Sequence, residues 1–149
     1  MDDRRYRTSY VVHRMSYVVH RMSYVVHMII SLDTSELKKV RLRLDDKGKT
    51  RRVSYPIYAD AVLPRLAKML AGRKPRALGV VVGPGAFSAT RTGVSLANAL
   101  AYAWGIPLIP LDRASFKSLA PLPAGRRGPV AVVYGALPNI TKKRMNHIP

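Results

Sequence analysis

The chain is predicted to fold as α/β, a mixed sheet with helices on its faces, and three observations carry that expectation. The run Met28 to Asp33 is apolar enough to be a strand buried on both sides. Val40, Leu42 and Leu44 alternate with basic residues and turn back through Asp45-Asp46-Lys47-Gly48 into Thr50 to Tyr55, the pattern of a hairpin. Beyond Pro56, helical and strand patterns alternate. A hairpin followed by alternating helices and strands gives a sheet with both parallel and antiparallel pairs.

Before that order begins, the first 27 residues repeat themselves. Ser9-Tyr10-Val11-Val12-His13-Arg14-Met15 recurs from Ser16 and again, without the arginine, from Ser23. Seven is an odd period, so successive copies in a strand would face opposite sides, and a coiled coil would carry His in every seam. Such identity fits a duplicated stretch of DNA read through from an early start, and Met28 is then the natural first residue. The alternative is an array of His13, His20 and His27 around a metal. The leader is expected to be mobile or loosely docked.

The next helix is expected from Ala59 to Ala71, stopped by Gly72, with Leu63, Leu66 and Leu70 on one face and Pro64 close enough to its start to be tolerated. Pro75 to Val82 is the following strand. Gly83-Pro84-Gly85-Ala86-Phe87-Ser88-Ala89-Thr90-Arg91-Thr92-Gly93 then reads as a glycine turn entering a helix, about Thr90 to Trp104, which Gly105 ends. Phe87 is expected to plug the core under the turn, and Ser88 or Thr90 to cap the helix. A short strand, Ile106 to Ile109, and a short helix, Arg113 to Leu119, follow. Residues 121–149 read as a loop with one further strand at Val130 to Tyr134 and a frayed basic tail.

Composition limits the function classes. There is no cysteine, which excludes disulfides, thiolate metal sites and cysteine nucleophiles. No apolar run approaches the roughly 20 residues that span a bilayer, and no secretory signal is legible, so the expected address is cytoplasmic. Twenty-six basic residues against eight acidic ones give a net charge of +18. That field attracts polyanions, and RNA or a ribosome is the partner class it suggests. Between Met28 and His147 there is no histidine to serve as a base. The Gly83-Pro84-Gly85 turn lacks both the Gly-Lys-Ser/Thr ending of a phosphate loop and the dinucleotide spacing. No catalytic, metal or cofactor site is therefore expected.

Two constellations remain. Asp33, followed by Thr34 and Ser35, ends the first strand where a carboxylate could hold a metal–phosphate complex; Ser35-Glu36-Leu37-Lys38 has no glycine to admit one, so bonding to local backbone at a turn is favoured. The segment Thr92 to Pro110 carries no charge. Gly93, Ala97 and Ala101 form a flat ridge along it, beside Leu96, Leu100 and Ala103, and a helix apolar all round is either buried or part of an interface. The ridge is expected to meet a second protein, with Arg91 orienting the contact.

Leu32-Asp33-Thr34-Ser35, Tyr58-Ala59-Asp60-Ala61-Val62-Leu63-Pro64, the glycine turn through Gly93, and Ala101-Tyr102-Ala103-Trp104-Gly105-Ile106-Pro107-Leu108 together resemble the TsaB (YeaZ) family. The matching motif residues are Asp33, Thr34, Ser35, Gly83, Pro84, Gly85, Phe87, Arg91 and Gly93. The resemblance covers about residues 28–120 and implies the N-terminal lobe of an actin-like, RNase H-like protein, the second lobe having no counterpart. It also implies a non-catalytic partner of TsaD in tRNA threonylcarbamoyladenosine synthesis, with TsaE as a further partner, tRNA met indirectly or by weak electrostatic contact, and homodimers formed through the same surface. On that basis Leu63, Leu66, Leu70, Arg91, Gly93, Ala97 and Ala101 are the expected interface. Tyr58, Ala59 and Asp60 stand where the family usually has His, Ser and Glu, and Ser88-Ala89 where it has Thr-Gly. An ATP-handling enzyme of the same superfamily and a basic RNA-binding module are the competing readings.

Overall fold

The structure, a computed structural model, describes residues 27–56 and 62–135. The expectations for the repeat up to residue 26, for the helix start at residues 59–61 and for the tail after residue 135 lie outside the described residues.

Five strands, β1 (Ile29–Asp33), β2 (Lys39–Asp46), β3 (Lys49–Pro56), β4 (Ala77–Val81) and β5 (Leu108–Leu111), form one sheet in the order β3-β2-β1-β4-β5. The β1–β2 and β2–β3 pairs are antiparallel, and β1–β4 and β4–β5 are parallel. Three helices are described: α1 (Val62–Leu70), α2 (Phe87–Trp104) and α3 (Arg113–Lys117). The mixed sheet with flanking helices is the architecture the sequence predicts.

Local chemistry sets the boundaries. Lys47 and Gly48, both at positive φ (49° and 77°), make the two-residue hairpin turn whose twist suits antiparallel strands, so Asp45 and Asp46 stay in the ladder. Gly105, at φ 62°, ends α2 in the left-handed region and gives its N–H to the carbonyls of Ala101 and Tyr102. Asp112 caps α3, its carboxylate accepting the Ser115 N–H at 2.6 Å, and that bond holds its pKa below the ordinary value.

Helices lie on both faces of the sheet, so every residue of the central β1 and β4 is buried. On one face Ile30, Leu32, Leu42 and Val80 pack under Val62, Leu66 and Leu70 of α1 and Val94, Ala97 and Ala101 of α2. On the other, Ile29, Val81, Ile109 and Leu111 pack under Phe116 of α3. Arg65 of α1 lies over the Tyr55 ring of β3, 4.1 Å from its centroid, tying that helix to the edge strand.

Register divides the sheet into two ends. Ile29 stands opposite Asp45 and Ala77, and Leu78 opposite Leu108, which gathers the β2–β3 turn, the α1–β4 loop and the start of β5 at one end. Asp33, Val81 and Leu111 finish at the other, beside the glycine turn.

Two strand expectations change. The alternation along β2 indicates a half-exposed strand, yet Arg43 on its basic side is only 1% exposed. The segment Val130 to Tyr134 is not a strand. It is held by the Asn98 side chain, which donates to Val130 O and accepts from Val130 N, both at 2.9 Å, and by Val133 N donating to Val82 O at 2.7 Å.

Candidate functional site

The residues singled out in the sequence converge where β1 and β4 leave the sheet beside the first turn of α2. Asp33 is 1% exposed. Its Oδ1 accepts from Ser35 N at 2.9 Å and from Ser35 Oγ at 2.6 Å, while Oδ2 faces Arg41 Nη1 at 3.3 Å. Arg41 also bonds Glu36, which Arg113 reaches at 3.3 Å. The hydrogen bond from Arg41 keeps the Glu36 pKa below its ordinary value, and the same bond raises that of Arg41. Asp33, Arg41, Glu36 and Arg113 thus form one run of alternating charges.

The glycines let two loops meet. A Cβ on Gly85 would lie 2.5 Å from Ser35 Cβ and 2.9 Å from Thr90 Oγ1, so only glycine allows the turn to close over Ser35. Ala86 N donates to Ser35 O at 2.8 Å, and Thr34 Oγ1 to Ala89 O at 2.7 Å. A Cβ on Gly93 would run into the Thr34 hydroxyl. Asp33 does bond the local turn, whereas Thr34 reaches across to α2. Ser35 lies against Gly85, and the Ala86–Ser35 and Thr34–Ala89 bonds clamp the β1 exit onto α2 at this corner. Thr90 Oγ1 is buried in it without a hydrogen-bond partner among the described residues.

The expected interface is corrected by where these side chains point. Gly93, Ala97 and Ala101 are buried, and α2 packs on β4 and β1 with this face, so the ridge meets the chain's own sheet. Leu66 and Leu70 are likewise 2% and 5% exposed, inside the same core. The physical reason is one of distance: small residues permit close approach, and here the approaching surface is the loop carrying Thr34. Leu63, at 51% exposure, remains outside. The outward face of α2 is formed by Ser88, Thr92, Ser95, Ala99 and Ala103, flanked by half-buried Leu96, Leu100 and Trp104.

Phe87 does not plug the core. It begins α2, is 55% exposed, and stacks on Tyr134 with centroids 5.2 Å apart. The guanidinium of the exposed Arg91 lies over the Phe87 ring, 5.2 Å from its centroid. The cap expected from Ser88 or Thr90 is absent too, because α2 starts earlier: Ala86 is the cap position and supplies no side-chain bond.

Sequence reasoning missed Arg43. Its guanidinium forks onto Asp45 at 2.8 and 3.0 Å and reaches the carbonyls of Phe116 at 3.1 Å and Ser118 at 2.7 Å. The side chain therefore caps the carbonyl end of α3 while its charge is paired, which is what allows a guanidinium to be buried. An arginine at an alternating strand position carries no local signal of this. Among the described residues no group of three or more His, Cys, Asp or Glu side chains is gathered as a metal centre, and no helix is long and apolar enough to cross a membrane.

Comparison with known proteins returns two kinds of likeness. A family model described as "TsaD: tRNA N6-adenosine threonylcarbamoyltransferase" matches residues 67–136. Two solved structures superpose on the chain: YeaZ from Pseudomonas aeruginosa, and an uncharacterized protein from the same organism with similarity to peptidase YeaZ. Their TM-scores are 0.51 and 0.52, each at 22% identity over 57% of this chain. The chain spans 43% of the length of either structure. Over the matched part this chain has a YeaZ-like fold, a mixed sheet with flanking helices.

Proposed function

We propose that this lobe is a non-catalytic subunit that supports TsaD in the N6-threonylcarbamoyl modification of tRNA adenosine 37. Its fold likeness to YeaZ and the match to the TsaD family model support the pathway. The observation that carries the partner role is the outward face of α2. Thr92, Ser95, Ala99 and Ala103 are exposed without a charge among them, and Leu96 and Leu100 are half-covered beside them. The exposed Leu63 and Ala67 of α1 lie on the same side of the sheet. A helix pair of TsaD laid on the α2 part of this face would cover small uncharged residues and leave Arg91 at its margin. TsaD is the principal partner, TsaE a further one, and a second copy of this chain can occupy the same face when TsaD is absent. Arg91, at the start of the face and steadied by Phe87, would orient the contact.

Co-expression with TsaD from the same genome, followed by affinity capture, tests the proposal. Capture of TsaD by the unaltered chain and its loss with Ala99→Glu are expected, because a charge would be placed on a surface that the contact dries. The variant must keep the melting temperature of the parent. Equal capture by both forms would remove the outward face from the interface.

A further inference from the structure

The hairpin end of the sheet, opposite the glycine turn, collects basic side chains from segments far apart in sequence. Lys47 and Lys49 come from the β2–β3 turn, with Arg51 one step up the edge strand. Lys74 and Arg76 come from the α1–β4 loop, whose Arg76 N donates to Met28 O at 2.8 Å. Arg127 follows Arg126, which pairs with Leu108 at the start of β5 through bonds of 2.9 and 2.7 Å. All six are exposed. From β3 to β5 the sheet crosses four strand spacings, so the basic row runs about 19 Å.

Acidic groups at this end are already engaged. Asp45 is held by Arg43 and Asp46 by Arg73 at 2.6 Å, whereas none of the six cations has a carboxylate partner among the described residues. Aromatic surface adjoins the row. Trp104 lines a cavity of about 320 Å³ together with Arg73, Lys74 and Pro75. Tyr102, at 91% exposure, lines a second of about 460 Å³ with Arg127. Cations spaced along an edge suit a phosphate backbone, and the rings beside them, Tyr102 open and Trp104 half-buried at its cavity, suit unstacked bases, which single-stranded loops offer and a duplex does not.

We propose that the hairpin end binds RNA, with Lys47, Lys49, Lys74, Arg76 and Arg127 on phosphates and a loop base against Trp104. This goes beyond the adaptor reading and does not rest on it: the surface lies at the end of the lobe and is assayed without TsaD.

The test uses the full chain and a short fluorescein-labelled RNA stem-loop, with anisotropy read from about 50 to 200 mM salt. Binding that weakens steeply with salt is expected. Lys74→Glu with Arg127→Glu, both on exposed loops, should weaken it by about tenfold or more and flatten the salt dependence, at an unchanged melting temperature. The pair Lys38→Glu with Lys39→Glu makes the same charge change toward the glycine-turn end and should leave affinity within about twofold. Trp104 is the chain's single tryptophan, so its emission should fall on adding the stem-loop and not on adding a DNA duplex. Equal weakening by both pairs would reduce the effect to net charge and overturn the site. Unchanged Trp104 emission would do the same, and competition by polyglutamate as strong as that by RNA would reassign the surface to an acidic protein.

Discussion

The two faces of α2 are alike in composition and opposite in role. Toward the sheet stand Gly93, Ala97 and Ala101; outward stand Ser95, Ala99 and Ala103. Both rows are small and uncharged, and only the inner one is covered by the chain. A row of small residues therefore says that something comes close, without saying whether it belongs to the same molecule. What fixes the inner face here is the β1 exit loop, whose Thr34 occupies the notch at Gly93.

The sharpest way to separate the faces is a glutamate on each. Ala97→Glu, at a position with 0% exposure, should cost about 4 kcal/mol or more and leave little folded protein by thermal or urea unfolding. Ala99→Glu, two residues on and exposed, should stay within about 0.5 kcal/mol of the parent. Similar stabilities for the two would mean that α2 is rotated from the orientation described.

A smaller effect is expected at the notch. Gly93→Ala forces Thr34 aside and should cost about 1–3 kcal/mol by urea unfolding. Adding Thr34→Ala makes room for the new methyl, so the double variant should be more stable than the sum of the single changes implies. Strict additivity would mean that Thr34 is not what the glycine accommodates.

The smallest concerns the start of the helix. Phe87→Ala removes the stack on Tyr134 and the surface under Arg91, and should lower stability by about 0.5–1.5 kcal/mol. Faster amide exchange at Val133 in that variant would report the loosened segment, and unchanged exchange there would mean that the stack does not hold it.

The sequence was most informative where one residue type has one physical use. The doubly buried β1, the Lys47-Gly48 hairpin turn and the Gly105 stop of α2 were each legible because burial pattern or positive φ leaves few alternatives. The local turn bonding was legible for Asp33, which accepts from Ser35, and not for Thr34, whose acceptor Ala89 is distant in sequence. The orientation of α2 was not legible, since after Arg91 it carries no charge to mark the side that meets water. Phe87 was misjudged because its neighbour Tyr134 is distant in sequence. The burial of Arg43 was not legible because the carbonyls that receive it belong to α3 and the loop after it.

Asn98 presents to Val130 the same acceptor and donor that a neighbouring peptide group would present. One side chain on a helix thereby imitates a rung of a ladder in which the segment takes no part. Beyond the burial of Val130 and the Phe87–Tyr134 stack, the stretch from Pro129 to Tyr134 is thus bonded to α2 and the β4 exit by one removable amide and one main-chain bond, and its release leaves the hydrogen bonds of all five strands untouched.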